Sequence, residues 1–201
     1  MSAPHAVIIA GGEGQRLGGV RKAELRIGGS RLIDRVAGAL HDVTRPILVA
    51  TGHGRLPAGD HIGVGDLNDS FGGPLAGLAA AVDWLAARGV TDGLIASVAV
   101  DTPFLPPDFI AVMTETLGAD AAIASRWGEE FYPPNTLWRL AAIATLPARV
   151  RDGTAPKSPK ALLGELRATS HDWRPASPDN PFDNLNTLAD LVRLQRRAAA
   201  R

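Results

Sequence analysis

Ala6-Val-Ile-Ile-Ala10, followed at once by Gly11-Gly12, is the stretch that decides the fold. A short run that is apolar at every position reads as a β-strand covered on both faces, and such strands belong to parallel sheets with helices on either side. Pro46-Ile-Leu-Val-Ala-Thr51 and Leu94-Ile-Ala-Ser-Val-Ala-Val100 are of the same kind, with a weaker strand from Ile62 to Val64. Between them, Leu32 to Leu40 has apolar residues at 32, 33, 36, 37 and 40, which is helical spacing. Pro74 suits the first position of a helix, where its missing N–H costs nothing, and Leu75, Leu78, Ala79, Val82 and Leu85 give that helix an apolar face. Pro106-Pro107-Asp108 opens a further helix, and Ala121 to Ala124 is a short strand after it. The alternation predicts an α/β protein with a mainly parallel sheet.

The second half is less regular. Thr136 to Leu146 reads as a strand running into a helix, and Ala161 to Leu166 as helical. Pro175, Pro178 and Pro181 interrupt the chain before Asn184. Thr187 caps a last helix to about Arg197, whose arginines suit the negative end of the dipole. One domain over 1–201 is expected.

The 201 residues contain 21 Lys and Arg against 21 Asp and Glu, a formal net charge of +0. Nucleic-acid binding driven by bulk charge needs a surplus of cations, so it is not expected. With no Cys, disulfides, thiolate metal sites and a Cys nucleophile are excluded. Met1 to His5 carries no basic segment ahead of the apolar run, so no signal peptide is read there. No apolar stretch approaches the ~18 residues of a membrane span. A cytoplasmic protein with no membrane partner is the expectation.

Chemistry concentrates in three places. In Ile9-Ala-Gly-Gly-Glu-Gly-Gln-Arg-Leu-Gly-Gly-Val-Arg-Lys22, glycines after the first strand let backbone N–H groups approach a phosphate without Cβ interference. Arg16 and Lys22 add two cations, which suits a polyphosphate. A dinucleotide fingerprint fails because Leu17 takes the third glycine position, and a P-loop fails because Ala23 follows Lys22. Asp101 ends a buried strand, where α/β ligands bind; it is a hard oxygen ligand for Mg²⁺ or, alternatively, the cap of a loop. Asp66 suits a guanine N–H edge, a ribose hydroxyl or an Asx turn equally well. The five histidines show no metal-ligand spacing.

Together these motifs resemble the molybdenum cofactor guanylyltransferase family, over nearly the whole chain. Ile9-Ala-Gly-Gly12, Arg16-Leu-Gly-Gly19 and Lys22 match its nucleotide-holding loop, and Gly73-Pro-Leu-Ala-Gly77 a second block. Asp101-Thr-Pro103 matches the metal-binding block, Asp66 sits where the family has a nucleotide-contacting Asp, and Asn184-Leu-Asn-Thr187 matches a block beside the active site. The resemblance implies a Rossmann-like three-layer α/β/α sandwich of the nucleotide-diphospho-sugar transferase type. It also implies transfer of GMP from GTP to the terminal phosphate of molybdopterin or the molybdenum cofactor, with pyrophosphate leaving.

The implied site is Arg16, Lys22 and Asp101 as catalytic residues. Ile9, Ala10, Gly11, Gly12, Lys22, Asp66, Asp101, Asn184 and Asn186 bind the nucleotide, and Asp101 holds Mg²⁺, or Mn²⁺ in its place. Residues 1 to about 105 would bind the nucleotide and about 106 to 201 the acceptor, where Lys157-Ser-Pro-Lys160 resembles a basic block. Cofactor-inserting and acceptor enzymes of the pathway are implied partners. The chain departs from the family at three places: Arg21 replaces an Asp, Ala50 an Asn, and Gly29-Ser-Arg-Leu32 a Gly-Lys-Pro-Leu block. A molybdopterin cytidylyltransferase, a sugar-1-phosphate nucleotidyltransferase and a non-catalytic cofactor carrier are the alternative readings. Ala10-Gly11-Gly12 and the Thr of Asp101-Thr-Pro103 favour guanine over cytosine.

Overall fold

A computed structural model describes residues 2–11, 20–52 and 60–200. In β1 (His5–Ile9) the side chains alternate between two cores: Ala6 and Ile8 enter one, Val7 and Ile9 the other. The period of two in a wholly apolar run is why this strand must be covered on both faces.

One turn of 3-10 helix (Lys22–Glu24) and a hairpin, β2 (Arg26–Ile27) and β3 (Ser30–Arg31), lead to α1 (Leu32–Ala39). Then follow β4 (Ile47–Ala50), β5 (His61–Val64), α2 (Pro74–Ala86), β6 (Leu94–Ala99) and α3 (Phe109–Leu117). The remainder is β7 (Ala122–Trp127), β8 (Glu130–Arg139), α4 (Leu146–Arg151), α5 (Pro159–Glu165), β9 (Thr169–Asp172) and α6 (Leu188–Ala199).

Seven strands form one sheet in the order β5-β4-β1-β6-β8-β7-β9, parallel except for β8, which runs against both neighbours. The core formed with α1, α3 and α6 covers one face, and that formed with α2, α4 and α5 the other. This is the expected α/β/α sandwich. The chain leaves β1 for β4 on one side and returns by α2 to β6 on the other. The crevice at the carboxyl ends of β1 and β6 is therefore a topological switch point.

Three elements differ from expectation. β8 starts at Glu130 rather than Thr136, because a glycine turn (Gly128, φ 61°) folds it straight back from β7. Its pairing with β7 shifts after Ala124, and Pro133-Pro134-Asn135 make the bulge. The β2–β3 hairpin and β9 were not anticipated: the first is two residues a side, and the second is the polar run Thr-Ser-His-Asp on the sheet edge.

Candidate active site

At the switch point the end of β1 is locked to those of β4 and β6. The Ala10 N–H donates to the Ala50 carbonyl at 2.8 Å, and the Val100 N–H to the Ile9 carbonyl at 3.1 Å. Ile9 is buried, so it shapes the floor and only its successors Ala10 and Gly11 reach the edge. Gly12 and Arg16 lie outside the described residues.

The 3-10 turn Lys22–Glu24 is anchored by buried Ala23. This turn presents Lys22, whose Nζ donates to Asp101 Oδ2 at 2.8 Å and to Asn186 Oδ1 at 2.6 Å. Residues 22, 101 and 186, far apart in sequence, thus meet in one cluster. The Lys22 and Asp101 side chains are 22% and 18% exposed, so the pair is sheltered but open to a ligand. The Asp101 carbonyl in turn accepts from the N–H of Leu185, a fully buried residue that pins the Asn184–Asn186 segment to the sheet edge. Asn184 itself is exposed and stands outside the Lys22 cluster.

Asp101 is aimed by Thr102 and by Asn135, which the sequence did not single out. Two residues upstream, the Ala99 N–H donates to Asn135 Oδ1 at 2.8 Å, and the Ala99 carbonyl accepts from the Thr102 hydroxyl at 2.8 Å. Asn135 and Thr102 are both 1% exposed. An Asn inside an otherwise apolar strand run was the available signal for the first. Thr102 therefore spends its hydroxyl on the backbone and offers no base contact.

A second wing of the crevice runs over the ends of β4 and β5. A Cβ at Gly11 would stand 3.5 Å from the Gly52 nitrogen, and one at Gly52 (φ 61°) 3.5 Å from Asp66 Oδ2. Gly11, Gly52 and Asp66 thus lie side by side, with Asp66 half-buried. Behind them Ala50 is 1% exposed and faces α2, where a Cβ at Gly77 would come within 2.5 Å of its methyl. The last glycine of Gly73-Pro-Leu-Ala-Gly77 is there to let the helix approach the sheet.

Lys157 and Lys160 are exposed at the start of α5, where Ser158 caps the helix by accepting from the Ala161 N–H at 3.2 Å. α5 leads directly into β9, which is parallel to β7, so its first turn lies toward the same edge of the sheet as Asp101.

Among the described residues no three His, Asp or Glu gather as a metal cluster. A lone carboxylate at a phosphate-binding edge nevertheless suits a hard divalent ion, which keeps waters and takes its other ligands from substrate phosphates. Asp101 meets that description, although in the free protein the Lys22 ammonium already neutralises it.

Residues 6–169 match the MobA-like NTP transferase domain. Over 97% of this chain and 94% of its own length, the molybdenum cofactor guanylyltransferase of Nitrobacter hamburgensis is 34% identical. That of Acidiphilium cryptum is 38% identical over 93% of this chain and 91% of its own. The chain belongs to the molybdenum cofactor guanylyltransferase family. It is accordingly a nucleotidyltransferase. Molybdopterin-guanine dinucleotide biosynthesis protein A from Archaeoglobus fulgidus superposes with a TM-score of 0.74 at 19% identity, covering 98% of this chain and 100% of that one, and so shares the fold. Among the described residues no helix is long and apolar enough to cross a membrane.

Proposed function

We propose that this guanylyltransferase-family chain joins GMP from GTP to the terminal phosphate of molybdopterin or the molybdenum cofactor. An acceptor phosphate oxygen attacks the α-phosphorus, the bond from that phosphorus to the bridging oxygen breaks, and the electron pair leaves with pyrophosphate. The observation that carries this reading is Lys22, held by Asp101 and Asn186 at the carboxyl edge of the sheet. Residues 1 to about 105 serve the nucleotide and the rest the acceptor, except that Asn184 and Asn186 return to the nucleotide side.

The acceptor phosphate is already a nucleophile, so this chain's task is positioning and charge stabilisation rather than proton removal. The ammonium of Lys22 exchanges its carboxylate partner for phosphate oxygens, assisted by Arg16 and the amides of Gly11 and Gly12. That exchange frees Asp101, which with Mg²⁺ or Mn²⁺ would supply neutralisation of the triphosphate oxygens. Asp66, beside Gly52, serves the nucleoside end, and Asn184 and Asn186 close the opposite side. Lys157 and Lys160 attract the acidic acceptor.

The test is a nucleotide panel with molybdopterin and a divalent metal, scored for pyrophosphate. GTP is expected to be preferred. An equal or higher rate with CTP would make the chain a cytidylyltransferase, and no release with any nucleotide would leave a carrier.

A further inference from the structure

Asp190 has no part in the site described above, yet its bonds reach beyond the helix it helps to begin. In a capping box the carboxylate three residues into the helix accepts from the N-cap N–H. Asp190 Oδ2 does so with Thr187, at 2.8 Å to its N–H and 2.9 Å to its hydroxyl. It also accepts from the N–H of Asn186 at 3.0 Å, a bond that a helix cap does not require. Asn186 is the residue whose Oδ1 receives the Lys22 ammonium.

The other oxygen, Oδ1, accepts from Arg193 at 2.7 Å, and Arg193 is also paired with Asp183. Arg193 thereby ties together the two ends of the Asn184–Asn186 segment, while buried Leu185 anchors its middle. Burial alone would raise the Asp190 carboxyl, but the bonds from Asn186 and Thr187 and the nearby Lys22 charge outweigh it and hold it below its ordinary value.

We propose that Asp190 is a positioning residue for nucleotide binding: it fixes the Asn186 backbone, and through the Asn186 side chain it aims the Lys22 ammonium. A lysine has four flexible side-chain bonds, and fixed acceptors meet part of its ordering cost before the ligand arrives. The inference rests on Lys22 being a phosphate-binding cation, as proposed above.

The experiment measures GTP affinity by calorimetry without acceptor, together with the melting temperature. Asp190→Ala should weaken GTP about five- to tenfold, the size of one lost pre-set charge-assisted bond. Asp190→Glu, which can reach back in the same box, should restore most of it. Thr187→Ala should lower the melting temperature by loss of the cap yet change GTP affinity less than about twofold, since the bond to the Asn186 N–H survives. In an Asn186→Ala background, Asp190→Ala should add nothing, as expected of a residue acting through another. Should Asp190→Ala not fold, Asp190→Asn carries the same comparison, with a loss of about threefold. Normal GTP affinity in the Asp190 variant beside a loss in Asn186→Ala would overturn the proposal, as would full additivity or an equal loss in Thr187→Ala. Failure of the wild-type chain to bind GTP would instead overturn the nucleotide reading beneath it.

Discussion

Gly77→Ala and Gly38→Ala are the same chemical change in two helices, and they should move stability in opposite directions. A Cβ at Gly77 would stand 2.5 Å from the Ala50 methyl and 3.2 Å from Ile9 Cδ1. Methyl carbons are in contact at about 3.5–4.0 Å, so α2 must lift by about 1 Å or β4 must give way. Ala50 has no rotamer with which to escape. The cost therefore lies near the top of the overpacking range, about 3 kcal/mol. Alanine's helix preference over glycine returns about 1 kcal/mol, for a net loss of about 2 kcal/mol.

At about 2–4 °C per kcal/mol for a chain of this size, the ligand-free melting temperature should fall by about 4–8 °C. Gly38 lies exposed in α1, and a methyl group added there would meet nothing within 4 Å, so Gly38→Ala should gain about 0.5–1 kcal/mol. Scanning calorimetry on both variants, with Ala50→Gly added to Gly77→Ala, completes the test. The added glycine removes the opposing methyl and should recover part of the loss. The same lift disturbs Ile9 and Ala50, whose carbonyls lock the strand ends below Gly11, so GTP affinity should fall alongside. A Gly77→Ala melting temperature at or above wild type would refute the close-approach reasoning.

Lys22→Met should weaken GTP binding by at least about tenfold, while the partly exposed pair with Asp101 limits the stability change to about 1 kcal/mol. Because it removes the cation that occupies Asp101, it should also tighten binding of Mn²⁺ alone, read by electron paramagnetic resonance. Asp101→Asn should still bind GTP but lose orders of magnitude in pyrophosphate release at saturating substrate. Its melting temperature should drop slightly, since Lys22 loses an ion pair. Burial holds His5, His61 and His171 below the ordinary 6.5, and His61 also faces Arg45. The unfolded chain then takes up these protons first, so stability should decline as pH falls below about 6.5; a urea midpoint unchanged between pH 7 and 5 would contradict this. Asp34, bonded by Arg31, and Asp172, bonded by the Gly128 and Arg174 N–H groups, lie below 3.8, so their contribution should persist until pH falls below that value.

The strands with unbroken apolar runs were legible in the sequence to within a residue or two, because burial on both faces leaves no polar position to blur the pattern. α2 was legible from Pro74, and the Thr187 cap from its position ahead of the last apolar stripe. β9 was not, since an edge strand covered on one side tolerates Thr-Ser-His-Asp without alternation. At the site, Lys22 and Asp101 were both legible as charges at a sheet edge, but their pairing was not. A local pattern can place a carboxylate at a strand end and an ammonium after a loop; only the return of the chain through β6, next to β1, brings them to 2.8 Å. In the free protein the partner of the Asp101 carboxylate is Lys22.

Two of the sequence differences that bear on nucleotide choice lose their direct role once the side chains are placed. Ala50 turns its methyl toward α2, and a larger side chain there would meet Gly77 before it met a ligand. Thr102 turns its hydroxyl onto the Ala99 carbonyl, beneath Asp101. Neither side chain touches the crevice, so any influence on the base must pass through backbone position. Gly29-Ser-Arg-Leu32 likewise serves the turn of the β2–β3 hairpin, where Gly28 and Gly29 hold φ of 58° and 81° and Arg31 is committed to Asp34. Arg21 is different: it is exposed and adjoins the residue whose ammonium bridges Asp101 and Asn186. A positive charge there strengthens the field that a triphosphate meets on entry, where an aspartate would oppose it. The departure at position 21 therefore acts on charge and approach, that at 50 on packing and that at 30–31 on the hairpin turn and its ion pair.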